Sequence, residues 1–259
     1  MTDPSAYAAD LELALSLADA ADTLALSRFR ALDLVVETKP DLTPVSDADR
    51  AVEAALRARL TAERPGDALV GEEYGDTGAG DRRWIVDPID GTKNFVRGVP
   101  VWATLLALSD GERMVVGVVS APALGRRWWA ARGAGSWTSD PDGTVRRCRV
   151  SQVAALGDAF LSYSSAADWK GGFDRLLAGV WRTRAFGDFW SHVLVAEGAV
   201  DVSGEPEVSL WDVAPLQVIV EEAGGRFTDL AGKARTDSGS VLCSNGLLHD
   251  DVLALLAAP

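Results

Sequence analysis

The chain has 259 residues, 47% hydrophobic and 24% charged, a composition of folded globular proteins that excludes a disordered chain or a disulfide-stapled miniprotein. Its formal net charge of −13 opposes the clustered cations that a nucleic-acid backbone requires, so nucleic acid is not an expected partner. No run approaches the roughly 18 apolar residues that span a bilayer, and Met1-Thr-Asp-Pro-Ser5 has no leader character, which predicts a cytoplasmic protein without membrane contact.

Leu11, Leu15, Ala18 and Ala21 recur at helical spacing and predict a helix from Ser5, after a Pro or Ser start signal, to about Arg30. Lys39-Pro-Asp-Leu-Thr-Pro44 reads as a proline-stiffened connection. A second helix is expected from Ser46 to about Glu63, stopped by Pro65-Gly66. Short apolar runs then follow at 68–70, 83–86, 102–108, 115–119 and 127–131, with a hairpin turn at Asp110-Gly111. They predict an antiparallel sheet backed by the two helices. After about Val150 the rhythm changes. Runs at 159–163, 173–180, 189–197, 199–202, 213–222 and 226–229 alternate between strand and helix, as in an α/β half. The expected organisation is an α+β half over 1–150 and an α/β half over 151–259, without a flexible linker. Cys148 and Cys243 have neither metal nor disulfide-framework spacing and are expected to be reduced and partly buried.

Three segments set an acid at the end of a regular element: Gly71-Glu72-Glu73, Asp87-Pro-Ile-Asp90-Gly-Thr92, and Trp211-Asp212 at the opening of a helix. Singly, each has an ordinary explanation. Asp212 can cap its helix, Glu72 and Glu73 can be solvated turn residues, and Asp87 can initiate a turn. Together they suggest more. Were Glu72, Asp87, Asp90 and Asp212 to converge at about 5 Å, each pair would repel by roughly 3 kcal/mol at an effective dielectric near 20. Six pairs would cost roughly 20 kcal/mol, beyond the 5 to 15 kcal/mol that holds a protein folded, so such a site demands cations or protons. An all-oxygen donor set suits Mg²⁺, with Mn²⁺ a substitute, whereas zinc normally recruits His or Cys. His192 and His249, the only histidines, lie outside these motifs and read as structural. Gly91 allows close backbone approach, and a short helix starting near Thr92 would turn N–H groups toward a phosphate.

These residues resemble the inositol monophosphatase family of magnesium-dependent phosphatases. The likeness runs through Lys39 and Asp49, Gly71-Glu-Glu73, Trp84-Ile-Val-Asp-Pro-Ile-Asp-Gly-Thr92, Trp211-Asp-Val-Ala-Pro215 and Glu222-Ala-Gly-Gly225. It implies a layered αβαβα fold of the sugar-phosphatase type and a site with two to three Mg²⁺ ions. Glu72, Asp87 and the Ile89 carbonyl would ligate one ion, and Asp87, Asp90 and Asp212 a second. Glu72 would help to hold a third through water. The resemblance makes Thr92 and Asp49 the pair that deprotonates an attacking water, although Ser46-x-x-Asp49 also spells a capping box. It further implies in-line attack by a metal-activated water, and a homodimer. The wording Asn94-Phe-Val-Arg-Gly-Val-Pro-Val-Trp102 and Arg126-Arg-Trp-Trp129 is similar to that of actinobacterial-type histidinol-phosphate phosphatases. Under that likeness Asp188 and Glu205 would pair with the substrate's cationic groups, and Asp90 would also bind the substrate. Phe189, Trp190 or Trp102 would contact its ring. Asp188 as a helix cap and buried aromatics are the plainer alternative. A broader inositol-phosphate phosphatase, and a metal-binding module without catalysis, are the competing functions.

Overall fold

A computed structural model describes residues 6–40 and 42–257. In chain order the elements are α1 (Ala8–Arg28), β1 (Val36–Thr38), β2 (Pro44–Ser46), α2 (Asp47–Glu63), β3 (Ala68–Gly71), β4 (Gly75–Thr77), β5 (Arg82–Asp90) and α3 (Thr92–Val96). The antiparallel run of β6 (Ala103–Asp110), β7 (Arg113–Ala121), β8 (Arg126–Ala131), β9 (Gly135–Ser139) and β10 (Val145–Arg147) follows. The remainder comprises β11 (Phe160–Ser162), α4 (Phe173–Gly179), β12 (Arg182–Arg184), α5 (Asp188–Glu197), β13 (Val202–Glu205), α6 (Leu210–Glu222), β14 (Arg226–Thr228), β15 (Val241–Ser244) and α7 (His249–Ala257).

Strand alternation builds the layers. Along β6, Leu106 and Leu108 face one side of an eight-stranded sheet and Leu105 and Ala107 the other. The first pair joins Leu13, Leu17 and Ala21 of α1 and Val52, Leu56 and Leu60 of α2 in an outer core. The second pair packs on α5 and α6 through Phe189, Val193, Val213 and Leu216. The same core continues through Phe227, Val241 and Cys243 into a five-stranded second sheet. Phe173 and Leu176 of α4 and Val252 of α7 close that sheet's far side over Leu161, Val202 and Leu242. The fold is thus a layered αβαβα sandwich in which α5 and α6 form the middle layer and belong to a core shared by both sheets.

Several local expectations are corrected. The first sheet is mixed, because β3 and β5 run parallel. The connection at 39–44 is the tip of a hairpin, with Lys39 N–H bonded to Thr43 O and β1 paired antiparallel with β2; Asp41 lies outside the described residues, as does the start signal at Pro4-Ser5. The strand expected over 199–202 begins only at Val202, since Gly198 ends α5 in a left-handed conformation and Asp201 ties down the turn by accepting the Phe160 amide at 2.7 Å. The short strands β1, β2, β4, β9, β10, β12 and β15, and helix α7, were not expected from the pattern. Both cysteines are free and fully buried rather than partly so.

Candidate active site

Asp87 and Asp90 stand three residues apart on β5, a spacing that in a regular strand would send them to opposite faces. A register shift in the β5–β6 ladder between these two residues removes that opposition. Pro88, which cannot donate to a ladder, lies within the shift, and its carbonyl accepts the Thr104 hydroxyl at 2.8 Å. Asp212 arrives from the first turn of α6. Carboxylate oxygens of Asp87, Asp90 and Asp212 lie within 4.8 Å of one another. Glu72 reaches the same group from the turn after β3, close enough to share a hydrogen bond with Asp87. All four line a cleft of about 420 Å³ together with Lys39, Ile89, Gly91, Thr92 and Asp188.

The side chains around this cluster are held from below. Asp49 Oδ2 accepts the Ser46 amide at 2.8 Å, completing the capping box at the start of α2, while its Oδ1 accepts the Thr92 hydroxyl at 3.1 Å. The Ile89 carbonyl is the alternative acceptor of that hydroxyl, at 2.9 Å. Capping and a bond to the cleft-lining Thr92 therefore coexist in Asp49. Asp212 repeats the device, its Oδ2 accepting the Ser209 amide at 2.7 Å. Gly91 adopts φ +80°, and a Cβ there would stand 3.0 Å from the Val101 carbonyl, so the backbone after Asp90 turns without a side chain.

A residue outside the expected set organises Glu72. Glu53 of α2 is fully buried and accepts the amides of Glu73 (2.7 Å) and Tyr74 (3.2 Å) and the Arg57 guanidinium (2.7 Å). A Cβ on Gly71 would lie 2.1 Å from Glu53 Oε1, so the glycine of Gly71-Glu-Glu73 makes room for this carboxylate. In sequence, Glu53 and Arg57 look like an ordinary solvated i,i+4 pair. Lys39 also belongs to the group, its Nζ bonding Glu72 (2.7 Å) and Glu73 (2.6 Å). Burial disfavours its charge, but these two carboxylates hold it above the usual lysine range.

Electrostatics define what the cluster needs. Burial, reinforced by Glu72, Asp90 and Asp212, raises the Asp87 carboxyl well above the ordinary range. Burial and the charges of Asp188 and Asp212 do the same to Asp90. Burial raises Asp212 to about 7, against the bond from the Ser209 amide. Three unit charges within 4.8 Å repel by roughly 10 kcal/mol in all at an effective dielectric of 20. The ligand atoms are carboxylate oxygens, with no His or Cys in the group. This donor set fits a hard divalent cation such as Mg²⁺.

The residues expected to meet a leaving group divide. Asp188 lines the cleft at the start of α5, with φ +48° and its Oδ2 accepting the Asn94 side-chain Nδ2 at 3.2 Å; it does not cap its helix. Burial and then Glu205 raise its carboxyl to about 6. Glu205, at the end of β13, hydrogen bonds the Ser164 hydroxyl through Oε1 at 2.5 Å, and Ser164 in turn accepts the Asp188 amide at 2.9 Å. Phe189 departs from expectation. Its ring is 1% exposed and packs on Trp128, and only its backbone N–H faces the site, donating to Asp90 Oδ2 at 2.7 Å. Trp102 is likewise core, wedged between Phe29 and Phe95. Trp190 packs on Phe186 outside the cleft lining. Of the histidines, His249 is buried between Thr228 and Ser244 hydroxyls at 2.8 Å each, away from the cleft. His192 is not remote, since its Nε2 stands 3.5 Å from Glu205.

The family model described as the inositol monophosphatase family matches residues 7–258. The chain belongs to this family. Among relatives, it is 55% identical over 259 residues to a histidinol-phosphatase of Streptomyces coelicolor, covering 96% of this chain and 97% of the other. It is 58% identical over 255 residues to a histidinol-phosphatase of Mycobacterium tuberculosis, covering 96% and 98%. Among solved structures, an IMPase of Thermotoga maritima superposes with a TM-score of 0.85 at 32% identity, over 95% of this chain and 96% of that one. Among the described residues of this family member, no helix is long and apolar enough to cross a membrane.

Proposed function

We propose that the chain is a magnesium-dependent phosphatase that hydrolyses L-histidinol phosphate to L-histidinol and phosphate. The observation that carries the choice of substrate is the acidic pair beside the cluster. Asp188 and Glu205 are joined through Ser164, and Asp188 is raised to about 6 partly by Glu205, so the pair gains from a cationic partner. The ammonium and imidazole of histidinol supply one, whereas the neutral hydroxyls of inositol do not. The two histidinol-phosphatases at 55% and 58% identity support the same reading.

Magnesium held by Glu72, Asp87, Asp90, Asp212 and the Ile89 carbonyl would supply Lewis-acid charge that offsets the phosphate and makes a nearby water more acidic. The protein's own part begins with Thr92 and Asp49. The Thr92 hydroxyl, poised between Asp49 Oδ1 and Ile89 O, orients the attacking water and passes its proton toward Asp49. Burial lifts the Asp49 carboxyl above its ordinary range, which makes it the better proton acceptor. Gly91 and Thr92 hold the phosphate against the start of α3, and Asp188 and Glu205 orient the leaving alcohol for in-line departure. Lys39 must loosen its hold on Glu72 when a cation competes for that carboxylate. We further infer a cytoplasmic homodimer, which analytical ultracentrifugation tests.

Phosphate release from histidinol phosphate and inositol 1-phosphate in saturating Mg²⁺ decides the substrate. A kcat/KM at least a hundredfold higher for histidinol phosphate is expected. Equal or reversed preference overturns the assignment.

A further inference from the structure

We infer that His192 is a positioning residue for substrate selection, fixing Glu205 in the orientation that recognises the cationic leaving group. The inference rests on the proposed substrate.

The geometry comes from two periodicities. Asp188 and His192 are four residues apart on α5, so the helix presents Asp188 at the cleft and His192 one turn beneath it. Ser203 and Glu205 are two residues apart on β13 and share a face. The imidazole fits between them, with Nδ1 2.8 Å from Ser203 Oγ and Nε2 3.5 Å from Glu205 Oε1. His192 is only 2% exposed, and its ring is held from two strands: Ser203 and Glu205 approach it from alternate positions of β13, and Cys243 of β15, paired with Ser203, is a further hydrogen-bond partner. The Ser164 hydroxyl meets the same Glu205 oxygen as the ring. Among the described contacts, both polar partners of Glu205 thus fall on Oε1, which leaves Oε2 for a ligand.

Ser164 extends the hold to the second acid through the Asp188 amide, and Ser191 bonds the Gly187 amide at 2.9 Å just ahead of it. Ser162 and Ser191 pair at 2.7 Å below. The two acids therefore rest on one buried layer of hydroxyls and imidazole, and His192 is the member of that layer that meets Glu205 from α5. A core histidine kept for packing alone would not need its Nε2 turned to an acid beside the cleft. A long, lightly restrained glutamate would lose rotamer freedom each time it bound a ligand; the ring removes that freedom in advance.

The test is a double-mutant cycle on the full chain with Mg²⁺. With histidinol phosphate, His192→Leu is expected to raise KM about tenfold while kcat changes less than threefold. In a Glu205→Gln background the same substitution should change KM less than twofold, because the group through which it acts is already altered. His192→Gln, which keeps an N–H near the Nε2 position, should recover most of the wild-type KM. Additive effects of His192→Leu and Glu205→Gln, an equal fall in kcat, or no benefit from glutamine would overturn the inference. Should His192→Leu fail to fold, Ser203→Ala, which frees only the Nδ1 side of the ring, passes through the same cycle with a KM rise of about threefold expected, and additivity there refutes the role. If the wild-type enzyme prefers a neutral-alcohol phosphate, the substrate reading falls by itself, and the cycle run on that phosphate still decides whether His192 acts through Glu205.

Discussion

Asp212→Asn should make the metal-free protein more stable while removing its activity. Asp212 has a folded pKa of about 7 against an ordinary 3.8. At 1.36 kcal/mol for each tenfold in proton affinity, its ionisation costs the folded state roughly 4 kcal/mol once pH exceeds 7. The sign follows from proton binding. Between pH 3.8 and 7 the folded state binds the proton more tightly than the unfolded chain, so stability falls as pH rises through this window and levels off above it. Asparagine cannot ionise, and its carbonyl oxygen can still accept the Ser209 amide that Asp212 accepts at 2.7 Å. In EDTA at pH 8 the variant should gain roughly 4 kcal/mol, or about 10 °C in Tm for a domain of this size. At pH 5 the gain should shrink to roughly 1.5 kcal/mol. Saturating Mg²⁺ should reverse the order, because the wild-type protein gains by ligand linkage and the variant gains less. Thermal unfolding followed by circular dichroism across this grid reads all four corners. A variant no more stable than wild type in EDTA at pH 8 would refute the claim that burial, with repulsion from the neighbouring acids, makes ionised Asp212 costly to the folded protein.

Thr92→Ala and Asp49→Asn should each lower kcat by about 10² to 10⁴ with the fold retained by circular dichroism, since both remove part of the proton path at the cleft. Gly71→Ala should destabilise the protein by about 2 kcal/mol or more in chemical denaturation and weaken Mg²⁺ binding by calorimetry, because the new methyl displaces the Glu53 carboxylate that orders the Glu72 turn. Phe189→Leu should cost about 1 kcal/mol of stability yet leave KM for histidinol phosphate within twofold, as the ring is buried and only the backbone amide meets Asp90.

What the sequence made legible were features that depend on local pattern. The two long helices, the β6–β7 hairpin at Asp110-Gly111 and the opening of α6 at Trp211-Asp212 all carried periodicity or capping signals, and the structure holds each within a few residues. Of the strands of three or four residues, β3, β11 and β14 showed as apolar runs, while β1, β2, β4, β10, β12 and β15 did not, because their partners lie far away in the chain or their residues carry no apolar run. β15, buried on all four residues and paired on both sides, takes its strand character from β13 and β14 rather than from its own length. The acids of the cluster were found from their types and neighbours, but the means by which Asp87 and Asp90 face one another is a bulge that only pairing with β6 reveals. Glu53 and His192 stayed hidden for the same reason. A glutamate four residues before an arginine spells a surface pair, and a single histidine in an apolar helix spells core; what changes their meaning is the strand or turn packed above them. Phe189 failed in the opposite direction, since a sequence names a side chain without saying whether the ring or the amide will face the site.

Two acids explain how so repulsive a cluster can be kept in place. Asp49 and Asp212 are each the third helical residue after a serine, and each spends Oδ2 on the N-cap amide, at 2.8 and 2.7 Å. A capping box needs only one carboxylate oxygen. The other oxygen of Asp49 receives Thr92, while Asp212 still supplies a ligand atom to the group it forms with Asp87 and Asp90. The amide bond and the positive end of the helix favour the charged carboxylate and oppose the desolvation that raises both groups. Local helix chemistry therefore orients two acids that tertiary packing must bury. Their capping function does not compete with a catalytic one, because in Asp49 it fixes one oxygen and leaves the second to Thr92, and in Asp212 it leaves a carboxylate oxygen within 4.8 Å of those of Asp87 and Asp90. In Asp49 the capping interpretation and the active-site interpretation describe different atoms of the same carboxylate. Substituting the capping serines tests the division. Ser46→Ala and Ser209→Ala keep the N-cap amides but remove the reciprocal hydroxyl, and each should cost about 1 kcal/mol of stability by denaturant titration. Activity measured in excess Mg²⁺ should fall less than fivefold, because the N-cap amide still holds each carboxylate even though Ser46→Ala also removes the 2.6 Å bond from the Ser46 hydroxyl to Asp49 Oδ2. A loss of activity as deep as that of Asp49→Asn would mean that the box, not the amide, sets the acid's direction.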